Sequence, residues 1–379
     1  MKKKQLILGL VVLAALAALI VWGWNRVHFD FRLLRTQLAL ADWRRIGMGV
    51  GAIYLAYSVR SVRWALLLRH NKKVSPLSLL GTQVIGFTAV ALIGRVADLV
   101  RPYLVAKKTR LPISSQIAVY IVERLFDAGS MALIFSVAMI WVPTDDIIKA
   151  TAHSGPLAAL ALNHRELALL IARYGGLAAT LLGAFFLFLI RVSGGAVAAF
   201  FEGALGPISK GMAQALGSKI RAFRSGLDTM RSFADFATTA SLSVGMWLLI
   251  AFAYLETCKA FVASPQLAAI SLPKCVLVMI ASGGASIIQL PVLGWFSQIG
   301  LVVVALSLVL GAQAEAATAC AATLLLVTFL SIIPVGLIWA RFEHVSLRKI
   351  TVESEHAGED ATGQDFTATR PAEAFESDV

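Results

Sequence analysis

The chain opens on MKKK followed by LILGLVVLAALAALIVW (6–22), an unbroken apolar run close to the ~20 residues that a helix needs to cross a bilayer. Comparable runs recur along the 379 residues, and they overrule the two or three soluble domains that such a length would otherwise allow. The composition agrees: 58% of the residues are hydrophobic and 15% charged, against about 25% charged in a soluble domain. The expected fold is all-α, a polytopic membrane bundle of about 7–8 spans plus re-entrant or broken helices. A secretory signal peptide is the competing reading of the first run. Its apolar core would be about 7–15 residues with a small-residue cleavage site after it. Here Trp22, Trp24 and Arg26 follow, which reads as an interfacial anchor behind a first span with a cytoplasmic N-terminus.

Residues 27–45 are amphipathic and too polar to span, and are placed along the outer interface. A second span is expected over 46–68, with Arg60 and Arg63 inside it and the basic RHNKK (69–73) on the cytoplasmic side. The segment 77–106 has HNKK before it and KKTR (107–110) after it. Positive charge at both ends puts both ends in the cytoplasm. With Gly81, Gly86, Gly94 and Pro102 as interrupters, a re-entrant helix pair is predicted, a form tolerated where it is buried in protein or lines a wet cavity. Further spans are expected over 115–142, 167–190, 237–257, 272–290, 296–312 and 317–340, with PTDD (143–146) outside. The stretch 191–235, carrying Lys210, Lys219, Arg221, Arg224 and Arg231, is read as a basic cytoplasmic surface helix. Gly94-x-x-x-Asp98 has a counterpart in Gly294-x-x-x-Gln298, and an internal repeat with broken segments in both halves is a transporter architecture.

Residues 1–350 thus form one membrane domain. The tail 351–379 holds eight of the 22 acids against Arg370 alone, and is expected to be a disordered cytoplasmic segment. The basic residues of the membrane domain lie between apolar segments, which fits topology signals and lipid headgroups rather than nucleic acid.

Two apolar stretches carry charges where water is scarce. ALIGRVADLVRPYL (91–104) contains Arg95, Asp98 and Arg101 at three-residue spacing, so Asp98 can serve either arginine on a helix. VYIVERLFDAG (119–129) contains Glu123 and Asp127 on one helical face, with Arg124 beside them. The first set is net positive and the second net negative, so their helices can neutralise each other by packing. A static ion-pair network, or arginines snorkelling to headgroups, accounts for such charges without a ligand. Yet each ionisable group inside a membrane costs roughly 2.5–3.5 kcal/mol on insertion scales, which makes function the default hypothesis. Arginine forks suit phosphate, so the arginine excess favours an anionic or zwitterionic phospholipid headgroup. The later SGGASIIQLPVLGWFSQIG (282–300) reads either as small-residue helix packing or as a second broken element facing the first. Lys259, Lys274 and Glu256 fall near span ends and read as interfacial.

Cys258, Cys275 and Cys320 are scattered, and neither they nor the six histidines form a metal-ligand or disulfide pattern. No Walker, GxGxxG or GxSxG motif is present, so no cofactor is expected.

The pieces RSVRWALLL (60–68), GRVADLVRPYL (94–104), VERLFD (122–127) and QLPVLGWFSQ (289–298) resemble the transmembrane region of lysylphosphatidylglycerol synthases and its stand-alone flippase-like relatives. The resemblance extends over roughly residues 5–345 and implies a lipid translocase-like module. One departure stands out: the family often has a Gly-Gly pair and a glutamate near the last motif, where this chain has Gly294-Trp295 and Gln298. An acid-dependent step at that place would lack its acid. In the full-length synthases a soluble domain performs aminoacyl transfer. The 29 tail residues are too few for one, so no aminoacyltransferase activity is expected.

The function expected is that of a flippase-like inner-membrane protein for a polar-headed lipid. Arg60, Arg63, Arg95 and Arg101 are the candidate phosphate contacts. Asp98, Glu123, Arg124 and Asp127 orient them or couple protons, and Gln298 comes from the second half. Two rivals remain at this point: an intramembrane transferase using Asp98 or Glu123 as base, and an accessory subunit whose charges bind a partner's helices.

Overall fold

In a computed structural model, the structure describes residues 30–143, 165–205, 232–285 and 293–343, together with 211, 345–346, 350–351 and 353–354. Every regular element among them is helical. The first expected span, 6–22, lies outside the described residues, as do PTDD (143–146) beyond Pro143, most of 206–231, the second helix break at 286–292, and 355–379.

A short amphipathic helix, α1 (Phe31–Ala39), starts at Asp30, whose side chain accepts from the Arg32 and Leu33 amides. Helix α2 (Trp43–Leu68) is capped in the same way by Asp42. Then come α3 (Pro76–Ile93), a 3-10 turn (Arg95–Leu99), α4 (Val100–Thr109) and α5 (Ile113–Trp141). A helical turn at Arg165–Leu170 and a π-turn lead into α6 (Gly176–Leu205). The second half contains α7 (Phe233–Lys259), a turn at Pro265–Ala268, α8 (Leu272–Ala285), α9 (Leu293–Leu310), α10 (Ala314–Leu325) and, after a π-turn at Leu326–Leu330, α11 (Ile332–Phe342). Pro76–Ile93, Phe233–Lys259 and Ala314–Phe342 are long and apolar enough to cross a membrane. Helices α2 and α5, 26 and 29 residues long, carry the charged residues discussed below.

Of the four interrupters expected in 77–106, one interrupts. Gly94 takes φ 91° and ψ −165°, a conformation essentially closed to residues with a Cβ, and α3 stops there. Gly81 and Gly86 lie inside α3 and leave room for side chains: a Cβ on Gly86 would fall on Arg101. Pro102 sits in the first turn of α4, where a missing amide hydrogen removes no helical bond.

Helices α2 and α7 run antiparallel in close contact. A Cβ at Gly49 would lie 2.9 Å from Thr257 Oγ1 and 3.2 Å from the Ala253 carbonyl, so the backbones approach as small-residue membrane interfaces do. Ion pairs close both ends. Arg45 Nη1 reaches Glu256 at 2.7 Å, which gives Glu256, read from sequence as merely interfacial, a helix-pairing role. At the other end Arg69 and His70 meet Asp235, with His70 Nε2 3.0 Å from its carboxylate. Asp235 also completes a capping box with Ser232.

The three cysteines, far apart in sequence, come from α7, α8 and α10. All three are fully buried, with Cys258 and Cys320 sulfurs 3.7 Å apart. Among the described residues no group of three His, Cys, Asp or Glu is arranged to hold a metal. The first residues of the acidic tail are packed rather than loose: Thr351 and Ser354 are buried, and Tyr103 Oη donates to Glu353 at 3.0 Å.

Candidate functional site

Arg60 and Arg63 are three apart on α2, so they share a face. Glu123 and Asp127 are four apart on α5 and share another. The two faces meet. Arg63 spreads its fork across both acids, with Nη2 2.7 Å from Glu123 and Nη1 2.6 Å from Asp127. Its Nη1 also donates to Ser243 Oγ of α7 at 2.7 Å. Arg60 Nη1 lies 3.0 Å from Glu123 and 3.3 Å from Asp127.

Arg101 arrives from α4. Its stem crosses α3 at Gly86, and its Nη1 reaches Glu123 at 3.2 Å and Gln83 Oε1 at 3.1 Å. Its guanidinium also lies over the rings of Phe87, Tyr120 and Trp64, at 4.5, 5.1 and 5.5 Å from their centroids. Asp98, read as able to serve either Arg95 or Arg101, does not pair with Arg101: Glu123 takes that arginine, and among the described residues no cation lies within ion-pair distance of Asp98. The Arg95 backbone belongs to the 3-10 turn, while its side chain lies outside the described residues.

Glu123, Arg63 and Arg101 are each 0–1% exposed and Asp127 is 4% exposed. Four arginines (60, 63, 101, 124) therefore meet two carboxylates, and Asp98 nearby leaves one positive charge in excess. Buried charges are tolerated only when paired and hydrogen-bonded, and this cluster meets that condition by sharing each acid among several guanidinium groups. Arg124 behaves differently. Its side chain is 40% exposed, with Nη2 3.4 Å from Asp127 and 3.8 Å from Glu123. Its Nε and Nη2 have no hydrogen-bond acceptor among the described residues.

Beside the cluster is a cavity of about 270 Å³, roughly nine waters at ~30 Å³ each. Arg60, Asp98, Tyr120 and Arg124 line it from the first half of the chain, and Trp247, Tyr254, Ser282 and Gln298 from the second. The far wall is ordered by hydrogen bonds, since Tyr254 Oη and Gln298 Nε2 both donate to Ser282 Oγ, at 2.7 and 2.9 Å. The π-turn between α10 and α11 supplies Thr328 and Phe329; π-turns are frequent at functional sites. Gly283 faces α5 so closely that a Cβ would lie 2.9 Å from Met131, the close helix approach expected of that small-residue run.

Of the nine residues singled out from sequence, Arg60, Asp98, Arg124 and Gln298 are on the cavity wall. Arg63, Arg101, Glu123 and Asp127 stand behind it as the network that holds α2, α4 and α5 together. Arg101, expected as a ligand contact, is buried in the network, and Arg124, expected to orient others, lines the cavity. Gln83, Ser243, Trp247 and Tyr254 were not singled out, and Ser282 was read only as part of a small-residue run. Each is one polar group in an apolar helix, a weak signal in isolation.

These features describe a helical membrane protein with charged residues buried between its helices and, beside them, a cavity that carries charged and hydrogen-bonding groups. The family model for the lysylphosphatidylglycerol synthase TM region matches residues 6–338, and the chain belongs to that family. It is a multi-pass membrane protein of a lipid-related family. No curated protein matches it, and no solved structure does.

Proposed function

We propose that this chain is a flippase-like protein of the bacterial inner membrane that binds a polar-headed phospholipid in the cavity and moves it across the bilayer. One observation carries the reading: guanidinium groups of Arg60 and Arg124 share a small polar cavity with a hydrogen-bonded amide and hydroxyl from the other half of the chain. Drug-sized ligands fill pockets of ~300–1,000 Å³. A cavity of about 270 Å³ suits a headgroup whose acyl chains stay in the bilayer. In this reading the break at Gly94 makes α3 and α4 a re-entrant pair opening the cavity to one side, and α8 with α9 forms its counterpart. Lys72, Lys73, Lys107, Lys108 and Arg110 are exposed, and Lys72 Nζ donates to the Thr109 carbonyl at 2.8 Å. That basic cluster marks the cytoplasmic side, where the N-terminus and tail are placed too.

Glu123 is engaged by Arg60, Arg63 and Arg101, which makes it a poor general base and weighs against a transferase built on it. The test is lipid translocation in reconstituted vesicles, wild type beside Arg60→Gln/Arg124→Gln. Translocation that falls to the protein-free rate in a variant that elutes and melts as a folded protein supports the proposal. An unchanged rate in that folded variant overturns it.

A further inference from the structure

The cavity wall carries both signs of charge, and they are held apart. Arg124, Asp98 and Tyr120 all line this cavity, and the Arg124 guanidinium lies over the Tyr120 ring, 5.2 Å from its centroid. Yet Arg124 and Asp98 form no ion pair within 4.0 Å, although both line the same space. In a low-dielectric site two opposite charges sharing one cavity would ordinarily collapse onto each other. Here Arg124 is drawn back toward Asp127 and Glu123, and Asp98 is fixed on the 3-10 turn that follows Gly94.

We infer that the cavity selects a zwitterionic headgroup, with the phosphate at Arg124 and a primary ammonium at Asp98. The inference rests on the headgroup reading above and narrows it. Summed charge alone would favour an anion, because the described cluster is one positive charge in excess. Placement decides otherwise. A phosphate at Arg124 has Asp98 as a like-charged neighbour across the cavity, and an ammonium on the same headgroup removes that repulsion and gives Asp98 a charge-assisted bond.

Two further observations agree. Among the described residues, Arg124 Nε and Nη2 and, on the other half, Trp247 Nε1 are buried without a hydrogen-bond acceptor. Beside aliphatic and hydroxyl groups, the wall carries the aromatic rings of Tyr57, Phe87, Tyr120, Trp247, Tyr254 and Phe329. Aromatic faces attract ammonium groups and offer little to the hydroxyls of a polyol headgroup.

The experiment is native mass spectrometry of the detergent-purified full chain with equimolar phosphatidylethanolamine, its N-acetylated derivative and phosphatidylglycerol, all with the same acyl chains. The expected result for the wild type is retention of phosphatidylethanolamine about tenfold above the other two, one decade in binding constant. Asp98→Asn should abolish that preference while still retaining lipid, and Arg124→Gln should lose all three. The N-acetylated lipid tests the ammonium in the unaltered protein, so a poorly folding variant leaves the inference testable. If the wild type retains phosphatidylglycerol or the N-acetylated lipid as well as phosphatidylethanolamine, and Arg124→Gln loses them, the zwitterion inference falls and the headgroup site stands. If folded Arg124→Gln retains every lipid like the wild type, both fall.

Discussion

Gly86 on α3 and Arg101 on α4 occupy one space: the place where a Cβ of residue 86 would sit is filled by the Arg101 stem. The consequence reaches a third helix, because along this path the Arg101 guanidinium comes within 3.2 Å of Glu123 on α5. A missing side chain thus sets the position of a buried charge. Gly86→Val should push Arg101 from its path, and since the clash is with the stem rather than the tip, the side chain cannot swing away cheaply. Overpacking of this kind costs ~1–3 kcal/mol. A lowered melting temperature in detergent would be the reading, and a melting temperature equal to wild type would contradict the packing described.

Glu123 is the acid that most arginines share. Glu123→Gln leaves Arg60, Arg63 and Arg101 short of their common counter-charge, and breaking a buried pair costs ~3–5 kcal/mol. Adding Arg101→Gln to that variant removes one unpaired cation and should recover part of the loss. A double-mutant cycle measures the coupling, expected at ~0.5–3 kcal/mol for residues in one network. Additive losses would mean that Arg101 and Glu123 do not interact.

The two ends of the α2–α7 pair should respond unequally. Arg45 has a side chain 37% exposed against 10% for its partner Glu256, so solvent screens this pair on one side only. Asp235 is 3% exposed and combines the capping box with contacts to Arg69 and His70. Asp235→Ala removes the N3 half of the capping box and leaves the Ser232 amide and the Arg69 and His70 side chains without their shared acceptor, so it should lower the melting temperature clearly more than Arg45→Ala. Equal effects would show that the buried end holds no tighter than the exposed one.

These predictions also mark how far the sequence could be read. The spans were legible because a membrane helix must be apolar over a length that the bilayer imposes: the expected 46–68 and 115–142 are α2 and α5 to within a few residues. The break at Gly94 was legible as a glycine, but the work of Gly86 was not, since it depends on a side chain fifteen positions on. Helical spacing put Glu123 beside Asp127 and Arg60 beside Arg63. It could not say that Asp98 would lose Arg101 to Glu123, which is a competition settled by packing between helices. Nor could spacing gather Cys258, Cys275 and Cys320, which are brought together by three different helices.

That thiol cluster yields its own expectation. All three cysteines are fully buried, so a maleimide should label none of them in the folded protein and all of them after denaturation in detergent such as dodecyl sulfate. Mass spectrometry of the intact chain counts the adducts. Rapid labelling of the native protein would contradict the packing of α7, α8 and α10.

Lysine substitutions separate the buried strut from the cavity wall. Arg63 uses both Nη atoms at once, one to Glu123 and one to Asp127, and donates to Ser243 as well. A lysine ammonium keeps the charge but has no fork, so Arg63→Lys leaves part of that set unmade. Each buried group so orphaned costs ~1–3 kcal/mol. Arg124 holds its acids at 3.4 and 3.8 Å with a partly exposed side chain, so Arg124→Lys removes little from the fold. Its effect should fall on lipid retention, because a point charge replaces the planar guanidinium of a residue that lines the cavity. Melting curves and lipid retention measured on both variants should therefore diverge: Arg63→Lys loses stability first, and Arg124→Lys loses lipid at nearly wild-type stability. If Arg124→Lys destabilised the protein as much as Arg63→Lys and kept its lipid, Arg124 would be part of the strut.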